Sequence, residues 1–500
     1  MGYSTKNSTA IVHTAVIRGV EALPIEVEVA VSDGLPGFSI VGMADVSVQE
    51  SRERVKAALR SSGFAMPSQR VVVNLTPSAL RKTGSQFDLP IAAAILCATG
   101  QIDPTLVENA LLVGELSLAG NVLPTRGGLV YALCAENTGR RLICAPQDGG
   151  ASHAENVAQF RISNLSDLRK PNLASPEPYA TKCCSKHVDF DDIPGYEVAK
   201  RALQIAAAGG HGALLVGAPH SGAAALAAYV ASILPPLTKA EALEAAVAHS
   251  AAGEPIEAIL NGARPFRSPH HSTSLAGLLG GGIACVMPGE AALAHNGVLF
   301  LDELQDFSSS ALQILRQPAE SGEIVITRVN GSIRFPARFL LVAAAQPCSC
   351  GYYGAEGETC TCRPNNLRLY SDRLGGPLRS LFALSATVTS SRPGDAIECL
   401  HSYTAEGLRG GVLRGREYAA WRRAKTGEEP NQTNNEIVVN SCALSDEARD
   451  HLEEVAVNLR MSGPAISRTL AVARTIADIE QKEQIGLDDV REAIYLRGIL

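Results

Sequence analysis

Ala213-Leu214-Leu215-Val216 runs into Gly217-Ala218-Pro219-His220-Ser221-Gly222 and on into Ala223-Ala224-Ala225-Leu226-Ala227. How this stretch folds decides the class of the whole chain. Four apolar residues in succession suit a strand buried on both faces, and two glycines open a turn before a helical pattern. Outward from it, a helical pattern begins near Asp189, and apolar strands are predicted at Val298–Leu301 and Phe339–Ala344. Strands that alternate with helices imply a parallel α/β sheet. Beyond about Ser390 the strand patterns stop. Helical stretches at Ser445–Arg460 and Ala465–Gln481, with a polar loop at Thr426–Asn435, predict a mostly helical lid.

Before this unit lies a second alternation of β and helical patterns, Ala10 to Leu168. Ile25–Val29 and Arg70–Leu75 have the β-branched alternation of strands, Ser47–Ser61 the spacing of an amphipathic helix, and Leu89–Ala98 the character of a buried one. The Pro-, Ser- and Lys-rich stretch between Arg169 and Lys186 has the composition of a linker, in which Cys183-Cys184 is a redox or metal pair or two ordinary thiols. The expected division is 1–168, a linker at 169–188, an α/β unit at 189–390 and a helical unit at 391–500.

Five hundred residues exceed one hydrophobic core. An apolar share of 46% with 19% charged residues is ordinary for a globular protein, and no apolar run reaches the ~18 residues that span a bilayer. The first residues lack a secretory pattern, and Lys6 departs from the myristoylation pattern. Twelve cysteines without a leader suggest thiols or metal ligands in the cytoplasm, with no membrane partner. A net charge of -7 gives no global pull toward nucleic acid, so any DNA contact must come from local basic patches.

Several long blocks resemble one family closely: the magnesium-chelatase-like AAA+ proteins of the YifB/ComM type. They are Gly34–Leu59, Val71–Ala92, Arg264–Ser272 (RPFRSPHHS), Pro288–Leu304 (PGEAALAHNGVLFLDEL) and Arg474–Glu480. The resemblance implies a Lon-protease-like N-terminal domain of the ribosomal S5 domain 2-like type, a P-loop AAA+ α/β domain and a helical C-terminal lid. It also implies hexameric rings, of one subunit type or with other AAA+ subunits. Its better-understood members are DNA motors that act on branched recombination intermediates.

Against the pattern G-x-x-x-x-G-K-[ST], Gly217, Ser221 and Gly222 keep a loop whose backbone N–H groups can face an anion at a helix N-terminus. Ala223 stands where a lysine should reach the β- and γ-phosphates, and Ala224 where a hydroxyl should ligate Mg²⁺. Val298–Leu301 followed by Asp302 and Glu303 preserves the Walker B form, in which the first acid holds Mg²⁺ and the second orients water. Gln346 occupies the family's Asn sensor position. The family's arginine finger and lid arginine align with Leu381 and Pro464, leaving Arg379 and Arg468 as substitutes. Each lost group removes a separate electrostatic contribution, and an arginine finger alone is worth roughly 10³–10⁵ in rate. The expectation is weak ATP or ADP binding, with a vestigial Mg²⁺ site and no efficient hydrolysis.

Cys348-Ser349-Cys350 and Cys360-Thr361-Cys362 could surround a tetrahedral Zn²⁺, although C-x-C is tighter than the usual C-x₂₋₄-C; free thiols are the alternative. His270 and His271 are further candidate ligands, better suited to a loop facing the ring interior. The family's Ser–Lys protease dyad has Ser85 near the nucleophile position, but the later turn Thr125-Arg126-Gly127-Gly128 offers no lysine, so an inactive domain is expected. Arg264, Arg267, Arg328 and Arg334, and the run from Arg409 to Lys425 with Tyr418 and Trp421, are candidate DNA contacts or solvated faces. Three functions remain open at this point. They are a non-hydrolysing AAA+ ring subunit in DNA recombination or uptake, an active branch-migration motor, and a chelatase-like accessory assembly.

Overall fold

The computed structural model describes residues 8–146, 154, 156–170, 173, 195–282, 285–328, 331–355, 358–374, 381–388, 403–426 and 443–497. It is a mixed α/β protein with a helical C-terminal region, as the residue patterns imply.

The first sheet has seven strands. β1 (Ser8–Arg18), β2 (Glu21–Ser32) and β4 (Arg70–Thr76) pair antiparallel, β3 (Gly37–Val41) adds parallel to β4, and β5 (Ala110–Leu112) parallel to β1. Arg141–Cys144 and Gln159–Arg161 complete the other edge. Alternation sets the faces: in β2, Ile25, Val27, Val29 and Val31 are buried while Glu26 and Glu28 face water. Helices α1 (Val46–Ser61) and α2 (Asp88–Ala98) cover one face of this sheet, and α3 (Gly128–Asn137) covers the other. Nearly every α2 side chain is buried, matching its unbroken apolar sequence.

Arg169 ends a short turn of helix, Leu165–Arg169, and its guanidinium lies 4.0 Å over the ring of Phe64. It therefore packs on the N-terminal unit. From 171 onward the expected linker, including Cys183-Cys184, lies outside the described residues except Leu173, which packs on that same core.

The second sheet is parallel and five-stranded. Its spatial order is Phe266–Arg267, Val298–Leu301, Leu340–Ala345, Ala213–Gly217, Leu384–Val388. The central three strands are buried almost throughout. Helices α4 (Glu197–Gly209) and α5 (Ala223–Ile233) pack on one face with the lid, and Ser309–Ser321 on the other. Helix α6 (Lys239–Ala252) meets α3 of the first unit through Leu129, Ala242, Ala245 and Ala246.

Among the described residues the lid holds two helices more than its sequence patterns predict, Ala405–Thr426 and Leu487–Tyr495. Four glycines obscure the first of these. Two of them are explained by close packing: a Cβ at Gly411 would fall 2.1 Å from the Gln204 side chain, and one at Gly415 2.9 Å from Ile479.

His211 follows α4 and bonds Thr475 Oγ1 of the lid helix Gly463–Ile479 at 2.7 Å. Burial pushes its pKa down to about 4. The unfolded imidazole titrates near 6.5, so below that pH the unfolded chain binds a proton that the folded one excludes. Stability is thus full above about pH 6.5 and falls toward pH 4, by about 3 kcal/mol from this group. His211→Gln is expected to flatten the decline in urea midpoint between pH 7 and pH 4.5; an unchanged slope would show that other groups set it.

Candidate nucleotide site and cysteine knuckle

Gly217 ends its strand against Val388 O and the Ser221 side chain, where a Cβ would fall 2.8 and 2.2 Å away, so only glycine fits. The loop then reverses through His220 and Gly222, both with positive φ, and α5 starts at Ala223 without a side-chain cap. Its first N–H groups are therefore presented to the cleft, with the positive end of the helix dipole behind them. Ser221 is buried and its N–H bonds Ala218 O at 3.0 Å. Ala223 is half-buried and Ala224 exposed.

Opposite, the fully buried strand Val298–Leu301 delivers Asp302 and Glu303. Asp302 Oδ1 accepts from the Glu303 N–H at 2.9 Å, and Glu303 sits at φ 50°. Gln346, at the end of the neighbouring strand, donates its backbone N–H to Gln305 Oε1 at 3.4 Å and accepts from the Tyr370 hydroxyl at 2.6 Å. These groups enclose a cleft of about 510 Å³ lined by Gly217–Ala224, Asp302, Glu303, Gln305 and Ala344–Gln346. No lysine or arginine is among its described lining residues. The described lining presents carboxylates and backbone dipoles but no lysine or arginine to a phosphate.

Of the two expected substitutes, Arg468 does not supply that positive charge. Arg468 donates to Pro464 O at 3.2 Å, lies near Glu320 and Arg316, and is not part of the lining. Arg379 lies outside the described residues, while Leu381 is half-buried beside the Phe382 core. His271 is a site residue whose place the sequence did not reveal. Its Nδ1 lies 3.6 Å from Glu303 Oε2, and its ring stacks on His270 at 4.0 Å, so these histidines stand beside the Walker B acid.

The four cysteines converge as their spacing suggests. Cys348 Sγ lies 3.3 Å from Cys350 Sγ and 3.8 Å from Cys360 Sγ, and Cys350 lies 3.6 Å from Cys360. All four sulfurs, with Cys362, fall within 4.8 Å of one another. Tetrahedral zinc with 2.3 Å bonds needs S–S edges of about 3.8 Å, so the donor set fits that ion. The Tyr352 backbone N–H and then the Cys348 thiol hold Cys350 down to about 5. Cys360 is pushed up to about 12, against the pull of the Cys362 N–H, by burial and by the neighbouring sulfurs.

In the N-terminal unit, Ser85 donates its hydroxyl to the Glu115 carboxylate, and Arg126 lines the same small cavity. A guanidinium cannot accept the serine proton. Lys82 is buried nearby in sequence, but its ammonium donates to Pro77 O.

Half of the expected basic surface is internal. Arg264 bonds Pro235 O and Asn296 O, and Arg267 is held by Glu254 and Glu290. In the lid run, Arg409 bonds Ser232 O, Arg416 bonds Ala207 O, and Arg422 pairs with Asp478. Arg409 and Arg416 fix the lid on the α/β unit, while Arg422 ties two lid helices together. Arg328 is exposed on the hairpin Glu323–Arg328/Gly331–Pro336, and Arg334 pairs there with Glu323 in solvent. Among the described residues no helix is long and apolar enough to cross a membrane.

Comparison with known proteins agrees with this architecture. The model "Magnesium chelatase, subunit ChlI" matches residues 189–396, "Subunit ChlI of Mg-chelatase" matches 27–148, and "Magnesium chelatase, subunit ChlI C-terminal" matches 403–497. The chain is 38% identical over 508 residues to protein YifB of Escherichia coli strain K12, covering 98% of this chain and 97% of that one. It is 37% identical over 511 residues to Competence protein ComM of Haemophilus influenzae, covering 99% and 98%. A shorter match, 38% over 69 residues, joins 14% of it to 20% of the magnesium-chelatase 38 kDa subunit of Acidiphilium rubrum. Parallel sheet, glycine loop, Walker B acids and full-length likeness together show that the chain belongs to the magnesium-chelatase-like family of the YifB/ComM type.

Proposed function

We propose that this chain is a ring-forming AAA+ subunit that holds phosphate groups weakly, does not hydrolyse ATP efficiently at its own site, and serves DNA uptake or recombination. The observation that carries it is the cleft at Gly217–Ala224, in which Asp302 and Glu303 remain and no cation faces them among the described residues. Phosphoryl transfer depends on neutralising charge on the γ-phosphate, and the groups for that task are missing while the backbone cradle persists. Ring formation is supported by the match to the ChlI models, and the DNA-related role by the likeness to a protein named for competence. Exposed Arg328 and Arg334 are the groups that six-fold repetition would multiply around a pore.

In this reading the N-terminal unit is not a protease, since Ser85 faces a carboxylate and an arginine and no lysine. The four cysteines hold one structural Zn²⁺, which the sulfur spacing supports. Mg²⁺, if bound, would rest on Asp302 with water.

Calorimetry with ADP and ATP, beside a Mg²⁺-dependent ATPase assay, tests the nucleotide reading. The expected result is weak binding with little preference between the two nucleotides, and turnover indistinguishable from a Glu303→Gln control. Robust turnover abolished by that substitution would favour the active motor instead.

A further inference from the structure

The cysteine knuckle is built onto the wall of the nucleotide cleft. It leaves the central strand through Gln346, and Gly351 closes its first turn by donating an N–H to Cys348 O at 2.9 Å. Gly351 adopts φ 85° and presses so closely on the phosphate loop that a Cβ would fall 2.5 Å from Pro219 Cδ and 3.2 Å from Gln346 Oε1. Pro219 lies between the two loop glycines. On the far side, Tyr370 of the helix Pro364–Leu374, which follows the second cysteine pair, bonds back to Gln346 O at 2.6 Å. The knuckle thus touches both walls of the cradle.

We infer that metal occupancy of Cys348, Cys350, Cys360 and Cys362 sets the anion affinity of the Gly217–Gly222 loop, the metal-closed knuckle bracing Pro219 where a lysine would otherwise secure the phosphate. This rests on the zinc reading above. A bound tetrahedral ion fixes four side chains and the backbone turns between them. Without it those turns regain conformational freedom, which must be suppressed again when an anion binds. The loop N–H groups are then less preorganised for a ligand. By linkage, an anion in the cradle must retain the metal by the same factor that the metal strengthens the anion.

The test uses the full chain, prepared anaerobically with zinc supplied, and inorganic pyrophosphate as the probe. Metal analysis should give about one zinc per chain. Stripping the zinc with a chelator should weaken pyrophosphate binding about ten-fold, and zinc re-addition should restore it. Saturating pyrophosphate should slow zinc transfer to a chromophoric chelator, a readout that does not need the stripped protein to stay folded. Pro219→Ala removes the contact without touching a thiol. It should keep its zinc but lose both effects. Zinc present, with pyrophosphate affinity unchanged on stripping and zinc release unchanged by pyrophosphate, would overturn the coupling and leave the metal site standing. No zinc at all would overturn both, and failure of zinc-loaded protein to bind millimolar pyrophosphate would overturn the cradle itself.

Discussion

Replacing Ala223 by lysine and Ala224 by threonine together is expected to tighten ATP binding by about one to two orders of magnitude and to create a preference for ATP over ADP. Position 223 opens α5, where the loop N–H groups already face the cleft, so a lysine there adds charge to a preformed cradle. A charge-assisted hydrogen bond contributes roughly 1.5–3 kcal/mol, which sets the size of the gain. The threonine would return a hydroxyl for Mg²⁺ opposite Asp302. If the finger and lid arginines align with Leu381 and Pro464 as proposed, neither able to carry charge, turnover should nevertheless stay low. Binding and catalysis would then separate in one protein. Calorimetry and an ATPase assay on the wild type and the double variant decide it. Tight, ATP-selective binding by the unmodified chain would show that a cation from elsewhere already completes the site.

A second large effect is expected far from that cleft, at Arg54→Met. Asp88, at the start of α2, has a fully buried side chain, and Arg54 grips it at 2.6 and 3.0 Å, with the Leu116 N–H at 3.2 Å. Burial raises the Asp88 pKa even with Arg54 in place. Without the guanidinium the charge is left inside with only the neutral donors Leu116 N–H and the Ser51 hydroxyl, a change that typically costs about 3–5 kcal/mol. The variant's Asp88 would titrate higher still, so its folded form prefers the neutral acid. Stability is then present below the unfolded value near 3.9 and is lost as pH rises through the raised folded value. The gap between variant and wild type in urea denaturation should therefore be widest at pH 7 and should narrow toward pH 5. Pairing Arg54→Met with Asp88→Asn should recover much of the loss; no recovery would mean that Arg54 acts through its packing instead.

What could be read in the residues alone follows their local physics. Val298–Leu301 and Ala213–Val216 announce themselves because a strand covered on both faces needs consecutive apolar side chains. Ile25–Val31 does so by alternation. The helix Ala405–Thr426 was hidden because its glycines serve neighbours distant in sequence, Gln204 and Ile479. The same distance misled the assessment of charge. Arg409, Arg416 and Arg422 look like a basic face, yet each is drawn inward by a carbonyl or carboxylate that only the folded chain brings near. At the candidate site, the glycine loop, both acids and the cysteine spacing were legible because each is a short motif. The approach of His271 to Glu303 and of Gly351 to Pro219 was not, since each joins separate segments.

The contact between α3 and α6 bears on how this protein can be cut apart. The proline-rich stretch after Lys170 invites separate expression of the two halves. Either half alone, however, would carry a bare apolar strip into water: Leu129 on one, Leu237, Ala245 and Ala246 on the other. Such a strip lowers solubility and invites self-association. A fragment ending in that stretch should be sticky unless Leu129 is made polar, and the isolated nucleotide unit will tend to aggregate through α6 even when its own sheet is correctly folded.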